Sequence, residues 1–281
     1  MRSKFSCISV VILAAMVIVS CSSSKNSQQY GIAQSAHWQK DSLVIDGSDS
    51  GWTKPLTYHD EKQGLFYSVS NDDRNLYITV STKNDATILR ILRGGMTLYI
   101  NSHGTKDEYG AAGISFPTGN NNSKGGKLLY DRPELAQDKN IALHGVEDYS
   151  LFGFRVIGRP ETFEYGQQNA EGVELAIGMS SSKELIYEAK IPLNSFLTRA
   201  TMVNLNRKSF AVGFVLESMP EQPGNGGGVS VGGGVSLGSY GSGGGVGLSI
   251  GTGAIGDLFR KKSKPVKIWK ELLFADEPSV K

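Results

Sequence analysis

The chain has 281 residues, with 29 basic and 27 acidic side chains and a formal net charge of +2. The small net charge, without a basic stripe, excludes the electrostatic pattern typical of nucleic-acid-binding proteins. The only cysteines are Cys7 and Cys21. The residues after Cys21 can therefore form neither an internal disulfide nor a cysteine metal site.

The first twenty residues have the order of an export signal, with two basic residues before an apolar run from Ile8 to Val19. A membrane-spanning helix needs about 20 apolar residues, so we expect this shorter run to be removed. The residues Ile18-Val19-Ser20-Cys21 resemble the lipobox of bacterial lipoproteins. That resemblance implies that residues 1–20 are a signal peptide and that Cys21 receives the lipid, palmitate among its acyl chains.

Residues 21–39 are predicted to form a lipidated, flexible tether, because the stretch after Cys21 is rich in Ser, Asn, Gln and Lys. Ser22 differs from the Asp that retains many lipoproteins in the inner membrane, and the resemblance therefore implies the outer membrane. No acidic run follows Cys21, which favours the periplasmic face over the cell surface. The partner expected first is thus the membrane, reached through the lipid.

From Leu43 onward the pattern predicts β-structure. A strand at Leu43–Ile45 is expected to end at the turn pair Asp46-Gly47. The runs Leu65–Ser70 and Leu76–Val80 flank a polar segment and predict a hairpin with a five-residue loop.

A helix is predicted at Asp85–Arg93, with Asp85 as its cap and Gly94-Gly95 as its end. A second short helix is predicted behind Pro133, within residues 131–138. The later strands are predicted at Met96–Ile100, Phe152–Ile157, Val173–Met179, Leu185–Ile191, Phe210–Glu217 and Pro265–Phe274.

Many short strands with few helices predict an all-β fold, an antiparallel β-sandwich with one or two short helices. We expect residues 40–281 to form a single domain. A Gly-rich insertion at residues 224–256, in which sixteen residues are Gly, is expected to form a long loop before the last strand. Its composition favours disorder, while its alternating Val, Leu and Ile residues leave open a flat hairpin that pairs with a partner.

The elements Asp46-Gly47, Asp49 and Trp52, followed by Asp72 and Asn75-Leu76-Tyr77-Ile78, resemble the opening strands of family 9 carbohydrate-binding modules and their wider relatives. The resemblance is carried by residues up to about 117. It implies a sandwich fold and glycan binding. Members of that family hold a sugar between two Trp side chains, but here Ile91 and its neighbours occupy the first place and the Gly-rich insertion the second, so the resemblance implies that the usual site is absent.

Three tryptophans are candidates for stacking on a ligand. Trp52 and Trp269 lie among apolar strand residues and are predicted to be core residues rather than platforms. Trp38, near the end of the tether, is open to either interpretation. The ligand-binding candidates of the sequence are therefore Trp38 and Trp52.

Asp46 and Asp49 carry the oxygen ligands that Ca²⁺ takes from loops. Turn chemistry explains the same residues without a metal, and we favour that interpretation. No cofactor is therefore expected, with Ca²⁺ as the one candidate.

No catalytic residues are predicted. Asp72 and Asp73 are neighbours in a turn and are expected to point apart into solvent, whereas acid and base carboxylates must converge across a substrate. The four histidines lack metal-ligand spacing, and no nucleophile elbow or phosphate loop is present. The sequence favours a non-catalytic, membrane-anchored envelope lipoprotein that binds a ligand, with a glycan implied by resemblance. The alternative is an envelope structural or assembly protein that engages a protein partner through its Gly-rich segment.

Overall fold

A computed structural model describes residues 34–119, 138–203, 205, 208–218 and 264–278. All of them belong to one compact unit, residues 33–281. Five predictions lie wholly or mostly outside the described residues: the signal peptide, the lipidated Cys21, the tether up to residue 33, nearly all of the helix behind Pro133 and the Gly-rich insertion. The prediction of a flexible tether is wrong for residues 34–38, which form two short strands paired to the sheets. No helix in the described ranges has the length and apolar character needed to cross a bilayer.

Thirteen strands and four short α-helices make up the described residues. The strands are β1 (Gln34–Ser35), β2 (His37–Trp38), β3 (Tyr58–Asp60), β4 (Leu65–Asn71), β5 (Asn75–Thr82), β6 (Met96–Asn101), β7 (Ala112–Ser115), β8 (Asp148–Phe152), β9 (Glu161–Glu164), β10 (Glu174–Met179), β11 (Leu185–Pro192), β12 (Ser209–Leu216) and β13 (Val266–Leu273). The helices are α1 (Asp85–Leu89), α2 (Lys139–His144), α3 (Leu193–Phe196) and α4 (Arg199–Met202), and a π-helical turn at Arg90–Gly94 continues α1.

The strands form two sheets. Sheet A has the order β1-β13-β12-β6-β7-β8-β9, and sheet B has the order β10-β11-β5-β4-β2, with β3 also paired to β4. The predicted β-sandwich is confirmed. The sheets are mixed rather than purely antiparallel, because the two-residue strands β1 and β2 run parallel to β13 and β4.

The main core lies between the sheets and follows the two-residue alternation of the strands. In β12, Phe210, Val212 and Phe214 belong to this core and are fully buried. Gly213 and Val215, which alternate with them, face the other side of sheet A. A residue's position in the alternation thus decides which face of the sandwich it reaches.

The predicted hairpin is confirmed as β4 and β5, but its loop has three residues, 72–74, because both strands extend into the predicted five-residue loop. The predicted strand Leu43–Ile45 is wrong: this segment belongs to a loop, residues 39–57, and has no ladder partner. The prediction for Phe152–Ile157 is also wrong, because the strand ends at Phe152.

Helix α1 begins at Asp85, the first residue of the predicted range, but its cap is one residue earlier than predicted. The side chain of Asn84, not Asp85, caps it by accepting a hydrogen bond of 3.0 Å from the backbone N–H of Thr87. The π-helical turn ends at Gly95, whose φ of 98° lies in the region that favours glycine.

The closing strand is confirmed. Strand β13 pairs along its whole length with β12 and, at its end, with β1. The chain therefore leaves sheet A after β12 and returns to the neighbouring place in the same sheet, although the segment between them is outside the described residues.

The prediction that Asp72 points into solvent is wrong. Its side chain is hydrogen-bonded within the β4–β5 turn and organises that turn. Its Oδ1 accepts from the backbone N–H groups of Arg74 (2.7 Å) and Asn75 (2.5 Å), and its Oδ2 accepts from the Tyr77 hydroxyl at 2.7 Å. Burial acts to raise the pKa of Asp72, but these hydrogen bonds outweigh it and hold the pKa below the usual 3.8.

We expect Asp72→Asn to lower the free energy of unfolding by about 1–2 kcal/mol at pH 7, because hydrogen bonds to a charged acceptor are lost. A carboxyl whose pKa is lowered in the folded state stabilises the fold above its unfolded pKa and loses that contribution as the pH falls. Urea unfolding should therefore show the two proteins converging below pH 3.8. Asp73→Asn is the matched control, since Asp73 is 74% exposed; a loss as large in the control would contradict this account.

Candidate functional site

The predicted ligand-binding and metal residues lie on one side of the sandwich, apart from Cys21, which is outside the described residues. Trp38 is half-buried on β2 at the edge of sheet B. Trp52, Asp46 and Asp49 lie in the loop 39–57 beside the outer face of sheet B.

Glu188 fixes this loop to sheet B. It lies on β11, is 1% exposed, and its Oε2 accepts from the backbone N–H groups of Asp46 (3.0 Å) and Gly47 (2.7 Å). Its Oε1 accepts from the Trp52 indole N–H at 2.6 Å. Burial raises the pKa of Glu188, and the three hydrogen bonds oppose that shift. The elements Asp46-Gly47 and Trp52 therefore form a loop anchor around one buried carboxylate.

The loop approaches β10 through two glycines. A Cβ on Gly178 would lie 2.3 Å from the carbonyl oxygen of Gly47, and a Cβ on Gly47 would lie 2.8 Å from the carbonyl carbon of Ile177. Only residues without a side chain allow the two backbones to come this close.

The two candidate metal ligands have different partners. Asp46 Oδ1 accepts from the backbone N–H of Ser48 at 2.9 Å, which is turn chemistry, and Asp49 pairs with Lys54 at 3.2 Å. The described residues contain no group of three or more His, Cys, Asp or Glu side chains placed to hold a metal.

The outer face of sheet A carries a second arrangement that the sequence analysis missed. Strand register aligns Trp269, Gly213, Tyr99, Gly113 and Phe152 in one row across five strands, β13-β12-β6-β7-β8. We call these five residues the aromatic row. Aromatic side chains and glycines alternate along it.

The glycines make room for the rings. A Cβ on Gly213 would lie 2.7 Å from the Trp269 indole, and a Cβ on Gly113 would lie 2.1 Å from the Phe152 ring. The ring centroid of Tyr99 is 6.0 Å from that of Trp269 and 5.8 Å from that of Phe152. These rings form a small apolar cluster separate from the main core, in which Tyr99 and Phe152 are each 8% exposed and Trp269 is half-buried.

Two ion pairs flank Trp269. Lys267 and Glu271, the neighbours of Trp269 on the same face of β13, pair with Glu108 (2.7 Å) and Lys106 (3.8 Å). The loop 102–110 after β6 therefore reaches across sheet A to β13. Tyr109, which follows Glu108 in this loop, is 86% exposed.

The π-helical turn contacts two described residues that precede and follow the Gly-rich insertion in sequence, Glu217 and Lys264. Arg90 Nε donates to the carbonyl oxygen of Glu217 at 2.9 Å, and Arg90 Nη2 donates to the carbonyl oxygen of Lys264. Burial raises the pKa of Glu217, and the nearby Glu108 carboxylate raises it further.

The prediction that Trp52 and Trp269 are core residues is wrong for the main core, although Trp269 packs against the smaller apolar cluster on sheet A. Neither belongs to the main core between the sheets; Trp52 lies over the outer face of sheet B and Trp269 on that of sheet A. The signal for Trp269 was present in the sequence, because neighbouring residues of a strand point to opposite faces, and Ile268 is the apolar residue that reaches the main core. Nothing local in the sequence indicated that Trp52 hydrogen-bonds to Glu188.

A comparison with solved structures found similarity to a family 9 carbohydrate-binding module from Caldicellulosiruptor kristjanssonii, solved in complex with glucose. The match covers 66% of this chain and 76% of that chain, at 10% sequence identity and a TM-score of 0.32. Both values are too low for that protein's ligand to be transferred to this chain. No model of a protein family matches the chain, and neither does any curated protein sequence.

Proposed function

We propose that this chain is a lipid-anchored, non-catalytic envelope protein whose β-sandwich binds a glycan. The observation that carries the proposal is the position of Trp269, which lies partly exposed on the outer face of sheet A and outside the main core. Large aromatic side chains are usually buried in a core when their role is packing.

The chemistry of this position favours a sugar over a purely apolar ligand. A pyranose offers an apolar C–H face that stacks on an indole, and hydroxyls around its rim that need donors and acceptors. Charged side chains of both signs stand on either side of Trp269, and they supply both kinds of hydrogen-bonding group.

Anchoring rests on Cys21. We propose attachment to the outer membrane, on its periplasmic face. Cys21→Ala is expected to move the protein from the membrane fraction to the soluble fraction, because the acyl chains would be missing. Cys7→Ala, inside the signal, is the matched control and should leave the protein with the membranes; retention of the Cys21→Ala variant would contradict the anchor.

Glycan binding is tested with the purified full-length chain in mild detergent, against an array of neutral hexose and pentose oligosaccharides alongside polyuronates and sulfated glycans. We expect saturable binding to at least one neutral oligosaccharide. Failure to bind any member would overturn the glycan proposal.

The alternative function, engagement of an envelope protein through the Gly-rich segment, is favoured by one contact. Arg90 donates to the carbonyl oxygens of Glu217 and Lys264, so that one side chain holds the described residues on either side of the segment. A protein partner captured by the full chain and lost on deletion of residues 224–256, together with no glycan binding, would support this alternative.

A further inference from the structure

We propose that the glycan binds on the outer face of sheet A, with Trp269 as its stacking surface and Tyr109 beside it, and that the preferred ligand is an uncharged oligosaccharide. This site rests on the proposed function and gives it a place and a ligand class. It lies on β13 and the loop 102–110, away from Trp38 and Trp52, the candidates that the sequence suggested.

Trp269 is the member of the aromatic row that offers a surface. Its indole lies over Gly213, where a Cβ would come within 2.7 Å of the ring. One face of the ring is therefore supported by the sheet. Tyr99 and Phe152 are each 8% exposed and act as the packed support that holds the indole in place.

Trp269 is held by packing over Gly213 and beside Tyr99, whereas Trp52 is held by a hydrogen bond. The Trp52 N–H donates to buried Glu188 at 2.6 Å, and this contact explains the position of Trp52 by its role in anchoring a loop. Trp269 packs over Gly213 and beside Tyr99 at the border of the small apolar cluster, and it stays half-buried there.

The flanking charges favour a neutral ligand. Lys267 and Glu108 form one pair and Lys106 and Glu271 the other, so the two charges balance on each side of the indole. These four side chains are between 33% and 55% exposed and can hydrogen-bond to hydroxyl groups. A polyanionic glycan would instead meet two carboxylates, and the nearby Glu217, without excess positive charge.

Tyr109 supplies a second ring. It follows Glu108 directly, and its backbone carbonyl accepts from the side-chain amide of Asn101 at 3.1 Å. The same amide reaches the carbonyl of Asp107 at 3.2 Å, which fixes the backbone of the loop beside sheet A. The ring itself is 86% exposed, and an exposed aromatic on a fixed backbone is a contact available to a ligand at little ordering cost.

The test measures the affinity of the full-length chain and its variants for whichever neutral oligosaccharide binds best in the array. Trp269→Ala is expected to weaken binding by about 10-fold or more, and Tyr109→Ala by about 3-fold to 10-fold, in line with buried and peripheral aromatic contacts. Phe66→Ala is the matched control: Phe66 is a 38% exposed aromatic on sheet B, stacked on His59, and its loss should leave the affinity unchanged.

Tyr109→Ala keeps the test decisive if Trp269→Ala fails to fold, because so exposed a side chain contributes little to the fold. Binding that is unchanged in Tyr109→Ala and in a folded Trp269→Phe variant would overturn the site while leaving glycan binding intact. Stronger binding to sulfated glycans or polyuronates than to neutral ones would overturn the ligand class. If no glycan binds the unmodified chain, the proposed function is overturned, and the proposed site is overturned with it.

Discussion

Replacing Glu188 by alanine is expected to lower the free energy of unfolding by about 3–5 kcal/mol, since the change leaves buried donors without their charged acceptor. The donors are the backbone N–H groups of Asp46 and Gly47 and the indole N–H of Trp52. Without this carboxylate the loop 39–57 loses its contact with β11. Urea unfolding measures the loss, and faster amide exchange at residues 46–52 locates it.

Glu171→Ala is the matched control for that prediction. Glu171 is likewise buried, and its Oε1 accepts from the backbone N–H groups of Val156 (2.7 Å) and Ile157 (2.6 Å). The Glu171→Ala substitution should also destabilise the fold. It should speed amide exchange at residues 156–157 but leave amide exchange at residues 46–52 unchanged. Faster exchange of the loop 39–57 in both variants, or in neither, would contradict a specific anchor.

The pH dependence of the Glu188 contribution has a definite sign. Burial raises its pKa above the usual 4.5, and a carboxyl with a raised pKa stabilises the folded state most below its unfolded pKa. That contribution is lost as the pH rises through the folded pKa. The difference in unfolding free energy between the unmodified chain and Glu188→Ala should therefore shrink, without vanishing, from pH 4 to pH 7.

Gly178→Ala is expected to be the second most damaging change, at about 2–3 kcal/mol. The new Cβ would lie 2.3 Å from the carbonyl oxygen of Gly47, and a backbone atom cannot swing aside as the end of a side chain can. The loop must then move away from β10, which also weakens the hydrogen bond from Gly47 to Glu188. The midpoint of thermal unfolding measures the effect.

Gly158→Ala is the control for added bulk alone. Nothing lies within 4 Å of a Cβ at Gly158, so the substitution should leave stability unchanged or raise it slightly by restricting the unfolded chain. Equal melting temperatures for the Gly178→Ala variant and the unmodified chain would show that the loop is not packed on β10.

Strands and their order along the chain were predictable because the two-residue alternation is a local signal. The runs around 65–80 and the closing strand at 266–273 lie where their apolar and β-branched residues indicated. Leu43–Ile45 has the same composition but forms no strand, since the neighbouring Asp46-Gly47 backbone is bound by a carboxylate 141 residues or more away in sequence.

The aromatic row and the loop anchor could not be predicted, because both bring together residues that are far apart in sequence. The aromatic row exists only once five strands are in register, and no window of sequence contains both Tyr99 and Trp269. The loop anchor needs Glu188 opposite the backbone of residues 46–47. Charged residues are seldom fully buried, and Glu188 carries no sequence signal of its buried position.

Residue-resolved oxidation of the unmodified chain is the most direct measurement of the claim that Trp269 contacts a glycan. Hydroxyl radicals are generated with and without a saturating neutral oligosaccharide, and mass spectrometry reads each aromatic residue separately. We predict that the sugar protects Trp269 and Tyr109 and leaves Trp38, Trp52 and Phe66 unchanged. Equal oxidation of Trp269 in the bound and free protein would contradict the account.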